Sequence, residues 1–248
     1  PCKDEEEIFK KLGLSYIPPE LREDHGEIEA AQKGRLPKLI QPKDIQGIFH
    51  VHSTYSDGAA TLEENVKMAI KLGYKYLGLS DHSKSARYAN GLEEERLKKQ
   101  QKEIDGLREK YKGKIEILKG SEVDILPDGS LDYSEKALKT FDFVIASVHT
   151  RFTMGEKEMT QRVIKAMQNP YTTMLGHPTG RLLLSREPYA IDLREVIDAA
   201  KKYNVIVELN ANPHRYALDW RVCQLAKEKG VLLSIKQDEH PAESLSDT

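Results

Sequence analysis

Residues 47–83, GIFHVHSTYSDGAATLEENVKMAIKLGYKYLGLSDHS, decide the fold. GIFHVH is a short run rich in strand formers, TLEENVKMAIKLG has helical periodicity, and YKYLGLS returns to strand. Thr61 and Glu64 have the spacing of a capping box, and Gly73 can close the helix. A strand, a helix and a second strand in this order imply a parallel pair with the helix outside. Both strands end in side chains that bind metals. His50 and His52 are two apart and so share one face of a strand. Asp57 lies in the turn that follows, and His82 lies just beyond the second strand.

The rhythm continues along the chain. KIEILKGSEV (114–123), DFVIASV (142–148), TTMLG (172–176), VIVELN (205–210) and VLLSI (231–235) have strand length, and helical patterns at 91–111, 156–167, 192–204 and 219–230 separate most of them. Gly230 is placed as a helix C-cap. Seven strands alternating with helices predict an α/β fold, a seven-stranded TIM-like barrel, with an open doubly wound sheet as the alternative. The helix at 91–111 is highly charged and reads as a solvated face.

Glu122, His149, His177, Asp238 and His240 also sit at or just past strand ends, where side chains converge in a parallel barrel. Six of the eight histidines and three carboxylates thus recur at one end of the fold. Imidazole and carboxylate together are ligands for borderline and hard divalent metals. Taken singly, each has a plain reading. H-x-H arises by chance, Ser56-Asp57-Gly58 is a turn signal, and Asp81 is placed to be the hydrogen-bond partner of His82. Nine together exceed what one ion needs, which predicts a metal cluster and a hydrolase that uses metal-activated water. His25 reads as a surface residue, and His214, in a proline-containing turn near a strand end, as either a second-layer or substrate contact or a structural turn residue.

Composition sets outer limits. The chain of 248 residues is 39% hydrophobic and 31% charged, and it contains no apolar run of membrane-span length. The charged opening PCKDEEEIFKK predicts no secretory segment. Cys2 and Cys223 read as two unlinked cytosolic thiols. A net charge of −2 gives no overall basic signature, although metal ions would supply positive charge locally. Residues 4–13 predict a short helix capped by Asp4. Pro18, Pro19, Pro37 and Pro42 then forbid a long element, so residues 1–44 read as a linker with one more short helix near 25–33.

The order H-x-H, D, S-D-H, E, H, G-H-P, D-x-H resembles the PHP (polymerase and histidinol phosphatase) family, with a metal-competent residue at each of the nine ligand positions. Within it, YIPPELRED (16–24), FHVHSTYSDG (49–58), YLGLSDHS (76–83), GHPTGRLLL (176–184) and ELNANPHR (208–215) are similar to the C-terminal PHP domain of bacterial family X DNA polymerases. The resemblance implies a distorted seven-stranded barrel over residues 45–248. It also implies that residues 1–44 are the end of a polymerase thumb, and that the chain is a fragment lacking a last helix and the polymerase palm. SIKQDEHP departs from the family's usual last motif while keeping its ligand types.

By the same resemblance, three divalent ions (manganese or zinc, with iron(II) as an alternative) would be held by His50, His52, Glu122 and Asp238; by Glu122, His149 and His177; and by Asp57, His82 and His240. Glu122, Asp238, His149 and Asp57 would be the catalytic set. The implied activity is 3′→5′ exonuclease or 3′-end processing of DNA in repair, in the cytoplasm, with a polymerase domain in the same parent chain and no membrane partner. The alternatives are a small-molecule phosphomonoesterase of the histidinol-phosphatase type and a non-catalytic, metal-stabilised domain. Arg151 and Arg181 are candidate phosphate clamps. Lys84 and Arg87 are candidate backbone contacts, and Tyr55 and Tyr88 are candidates to stack on a terminal base.

Overall fold

The structure, a computed structural model, describes residues 1–236 and 238. It divides into two compact units between Asp44 and Ile45. In the first, Asp4 accepts a hydrogen bond from Glu7 N and caps helix α1 (Glu5–Lys11). Arg22 pairs with Glu5 at 2.8 Å and lies over the Phe9 ring. Helix α2 (Glu27–Gln32) follows, and the prolines leave only short turns elsewhere.

The second unit alternates strands and helices as its sequence predicts. Strands β1 (Gly47–Val51), β2 (Tyr76–Leu79), β3 (Glu116–Asp124), β4 (Phe143–Ser147), β5 (Met174–Leu175), β6 (Ile206–Asn210) and β7 (Leu233–Lys236) are all parallel and pair in sequence order. Cα atoms of β7 come within 8 Å of β1, with no ladder between them among the described residues. The barrel is therefore nearly closed, and the open-sheet alternative falls. Helices α3 (Leu62–Lys71), α4 (Glu94–Lys110), α6 (Glu156–Met167), α7 (Leu193–Tyr203) and α8 (Trp220–Lys229) fill the connections. Thr61 and Glu64 form the capping box, and Gly230 ends α8 in the left-handed conformation. Helix α5 (Glu135–Leu138) has a single turn, too little for a periodic pattern, and the sequence did not announce it. Both cysteines are free, and no described helix is long and apolar enough to cross a membrane.

Two departures from regular strand geometry aim the site. The first is in β1, where Ile48 and Val51 both pack among α3, β2 and α4 side chains. An odd spacing on one face requires a bulge, and the ladder register shifts there, with His50 at φ 54°. Phe49 and His50 consequently both face the barrel interior, and His52 follows them. The second is in β3, which changes partners midway: Glu116–Lys119 pair with β2, and Gly120–Asp124 pair with β4.

Along one face of β3 run Leu118, Gly120, Glu122 and Asp124, apolar at the base and acidic at the top. The base of the barrel is closed by Phe143, Ile145 and Met174, with Phe49, Leu118 and Ile206 against them. Every member is a strand residue, so this cluster is the barrel's interior. The Phe143 ring lies on Gly120 and Gly78. A Cβ built on Gly120 would stand 2.2 Å from Phe143 Cζ, and one on Gly78 2.7 Å. Gly120→Ala is expected to destabilise the protein by about 1–3 kcal/mol through overpacking, read as a lower urea midpoint. Adding Phe143→Leu should recover part of the loss, and a wild-type midpoint for Gly120→Ala alone would refute this packing.

Candidate metal centre

Strand direction and the β1 bulge bring the predicted side chains to one point above the apolar floor. Glu122, at the end of β3, is fully buried. Its Oε1 lies 3.2 Å from His50 Nε2, 3.2 Å from His149 Nε2 and 2.8 Å from His177 Nε2. Its Oε2 lies 3.0 Å from His82 Nδ1 and 3.6 Å from His52 Nε2. Asp238 Oδ1 touches His50 at 3.2 Å and His52 at 3.1 Å. Asp57 stands 3.6 Å from both His52 and His82. His240 lies outside the described residues.

The donors fall into three overlapping groups with metal-ligand spacing: His50, His52, Glu122 and Asp238; His52, Asp57 and His82; and His82, Glu122 and His149. The first brings together the four residues expected around one ion, whereas in the other two His82 stands beside both Asp57 and Glu122. His177 reaches the cluster through Glu122.

The donor chemistry fits divalent ions. Glu122 Oε2 and His82 Nδ1 lie 3.0 Å apart, yet neither makes a hydrogen bond, and His50 Nε2 makes none either. Buried polar atoms rarely lack a hydrogen-bond partner, and a shared cation would satisfy these. Three of the residues, His50, His177 and Asp238, hold positive φ angles of 54°, 22° and 60°. Side chains other than glycine adopt that region at a cost, and it concentrates where a site dictates geometry.

Electrostatics of the bare cluster follow from burial and charge. Burial opposes protonation of His50, but Glu122, Glu208 and Asp238 overcome it and raise the ring to about 10. His149 is likewise raised to about 10, against burial, by Glu122 and Asp124. His52 is lowered by burial and by the neighbouring His82, and His177 chiefly by burial. Burial alone would protonate Glu122, yet His50, His149 and His82 hold its carboxyl well below the usual range. Imidazolium and carboxylate thus balance each other where metal ions would otherwise do so.

A second layer, unread in the sequence, fixes the rings. Glu208 Oε2 accepts from His50 Nδ1 at 2.6 Å, and Asp124 Oδ1 accepts from His149 Nδ1 at 2.6 Å, so each ring presents Nε2 to the cluster. Both carboxylates had a signal. Glu208 interrupts the apolar run VIVELN, and Asp124 follows Glu122 by two on the same face. Lys236, fully buried, lies 3.2 Å from Glu208 and donates to Met174 Sδ. Asp81 is not turned to His82 as expected. It accepts from Ser53 N and Oγ, from Ser56 N and Oγ, and from Gln100, and so shapes the loop between His52 and Asp57.

The predicted substrate contacts divide. Tyr88 is exposed, and its ring meets His82 and His149 edge-on at 6.0 and 6.1 Å. Arg87 is exposed and Lys84 half-buried nearby. Tyr55 is instead committed to the scaffold through a hydrogen bond from its hydroxyl to Glu103. Arg151 is exposed. Arg181 directs its guanidinium to the carbonyls of Arg215 and Tyr216, an engagement that accounts for Nε and Nη2. His214 is exposed and takes part through its backbone. Arg215, which the sequence reading passed over, reaches Asp238 Oδ2 at 2.8 Å.

Comparison with known proteins places this centre. Residues 49–212 match the PHP domain family, and residues 1–23 match the DNA polymerase beta thumb. The chain is 44% identical over 98% of its length to the DNA polymerase/3′-5′ exonuclease PolX of Bacillus subtilis (strain 168), and spans 42% of that protein. It is 32% identical to a protein named a probable phosphatase from Thermoanaerobacter sp. (strain X514), with 77% of each chain covered. The crystal structure of histidinol phosphate phosphatase from Lactococcus lactis subsp. lactis Il1403, complexed with zinc, L-histidinol and phosphate, shares the fold with a TM-score of 0.60 at 20% identity, covering 82% of this chain and 89% of that one. From its matched residues, its barrel and its ligand set, this chain belongs to the PHP domain family of metal-dependent phosphoesterases.

Proposed function

We propose that this chain removes nucleotides from the 3′ end of DNA by phosphodiester hydrolysis, in the cytoplasm, beside polymerase domains of a longer family X DNA polymerase. The observation that carries the reading is the thumb-like segment at residues 1–23 preceding the PHP barrel in one chain. A polymerase thumb has a use next to a DNA-processing site and none next to a phosphatase for small metabolites. The relative that shares both parts is named an exonuclease.

The ligand assignment has His50, His52, Glu122 and Asp238 holding one ion, Glu122 with His149 and His177 a second, and Asp57 with His82 a third. His240 is the expected further ligand of the third. Manganese and zinc suit this mixture of imidazole and carboxylate, as does iron(II). Divalent ions in such a set supply Lewis acidity, acidifying water and neutralising phosphate oxygens.

The chain's own residues provide placement and charge. Glu122 stays ionised among five imidazoles and bridges the groups. Glu208 and Asp124 hold the His50 and His149 rings with Nε2 forward. Ser53 and Ser56 both donate their hydroxyls to Asp81, and the reading needs no phosphoryl-enzyme or nucleotidyl-enzyme intermediate on either serine. Tyr88, whose ring meets His82 and His149, is the candidate to stack on a terminal base, and Lys84 and Arg87, its neighbours in sequence, are the candidate backbone contacts.

The phosphatase relative covering 77% of each chain favours a second reading, hydrolysis of a small phosphate monoester. The two are separated by offering the manganese-loaded protein 5′-labelled single-stranded DNA and histidinol phosphate in parallel. Progressive shortening of the DNA from its 3′ end is expected, and turnover of histidinol phosphate alone would sink the exonuclease reading. Glu122→Gln should abolish hydrolysis and the manganese-induced rise in melting temperature together; retention of either would remove Glu122 from the centre. Glu208→Gln, which leaves every ligand in place, should weaken manganese binding by roughly 10- to 100-fold, measured by calorimetric titration of the chelator-treated protein.

A further inference from the structure

Beneath the ligands lies a cation that packing does not call for. Lys236, the last residue of β7, is the bulkiest of the fully buried side chains among the described residues. Burying an ammonium costs free energy that only close partners offset. Its Nζ lies 3.2 Å from Glu208 Oε2 and donates to Met174 Sδ at 3.4 Å. Sulfur is a weak acceptor, so one carboxylate oxygen supplies most of the compensation. That same oxygen accepts from His50 Nδ1 at 2.6 Å. Met174 belongs to the apolar floor of the barrel, so the ammonium sits at the boundary between floor and metal centre, a place that an aliphatic side chain could fill.

Holding Glu208 in place does not require a positive charge. Its Oε1 already accepts from Asn210 Nδ2 at 2.8 Å and its Oε2 from the His50 ring, and a neutral amide could make the third contact. What a lysine adds is charge. Burial lowers the pKa of Lys236, while Glu208, Glu122 and Asp238 act against burial. Two of those three carboxylates belong to the group around His50 and His52. The coupling is mutual: a cation that feels the field of Glu122 and Asp238 imposes its own field on whatever they bind. Inside a protein such a field is weakly screened, and a divalent ion feels it twice over.

We propose that Lys236 is a resident counter-cation that lowers the affinity of the centre for the divalent ion assigned to His50, His52, Glu122 and Asp238. Occupancy of that position then follows the supply of the ion instead of being permanent. The proposal rests on the ligand assignment given above and is indifferent to which phosphate ester is hydrolysed.

The sign of the effect separates this role from a structural one. The full chain, freed of metal with a chelator, is titrated calorimetrically with manganese. Lys236→Gln keeps a donor for Glu208 and loses the charge, and it should bind manganese at least about tenfold more tightly than the wild type. Lys236→Met loses donor and charge together and should also bind more tightly. A lysine that only positioned Glu208 would leave affinity unchanged in Lys236→Gln and reduce it in Lys236→Met, and that pattern would overturn the proposal. If Lys236→Met fails to fold, Lys236→Gln decides alone. A further comparison removes the carboxylate as well: Lys236→Gln added to Glu208→Gln should recover part of the affinity that Glu208→Gln loses, and a deeper loss would count against the charge.

Tighter manganese binding by Lys236→Gln in a protein that leaves DNA intact would end the exonuclease reading and keep this one. Unchanged binding by Lys236→Gln in a protein that shortens DNA would do the reverse.

Discussion

A single carboxylate, that of Glu122, lies within 2.8–3.6 Å of ring nitrogens from five histidines, and the upper half of the barrel is organised around it. It is fully buried, so its charge survives only because imidazoles surround it or because metal ions replace their protons. The five rings come from four different strand ends and tolerate one another only with that negative charge among them. The backbone yields accordingly. His50, His177 and Asp238 take left-handed angles and the first strand bulges, distortions a barrel built only for packing would avoid.

Below the ligands lies a graded interior. Phe143 on Gly120 and Gly78 gives a close-packed floor, and above it come Glu208 and Lys236, a buried ion pair at 3.2 Å. Such a pair is stabilising only when its remaining polar atoms are satisfied. Here Glu208 also accepts from His50 and from Asn210, and Lys236 reaches the Met174 sulfur. The layer passes charge balance upward, so the orientation of a ligand ring is set from the side away from solvent. Asp81 does the same for the loop from His52 to Asp57, through hydrogen bonds to two serines and Gln100.

Sequence patterning revealed the strands, the long helices and the imidazoles and carboxylates that converge on one point, because strand ends in a parallel barrel place such side chains by a simple rule. What it hid has physical reasons. The single turn of α5 is too short for periodicity to express. The bulge at His50 breaks alternation, so a strict period of two would have put Phe49 and His50 on opposite faces. Asp81 stands beside His82 in sequence, but consecutive residues point apart, and its partners are 19 to 28 positions away. Arg181 and Arg215 illustrate the same limit. Position after a ligand says that an arginine is near the site, whereas only the fold says whether its donors face the site or a neighbouring carbonyl.

The change of partner within β3 divides the barrel into two slabs, one formed by β1, β2 and the first half of β3, the other by the second half of β3 through β7. No ladder closes the far side between β1 and β7 among the described residues, so the slabs are joined through the shared strand, with backbone hydrogen bonds from Glu122 N to Ser80 O and from Ser83 N to Glu122 O across the crossover. His50, His52, Asp57 and His82 belong to the first slab, and His149, His177 and Asp238 to the second. Glu122 stands just past the crossover. A metal cluster at that point would be a rivet through two plates: whatever chemistry it performed, it would also hold the halves of the barrel at a fixed angle, so that mechanical integrity and the geometry of the site would depend on the same few bonds.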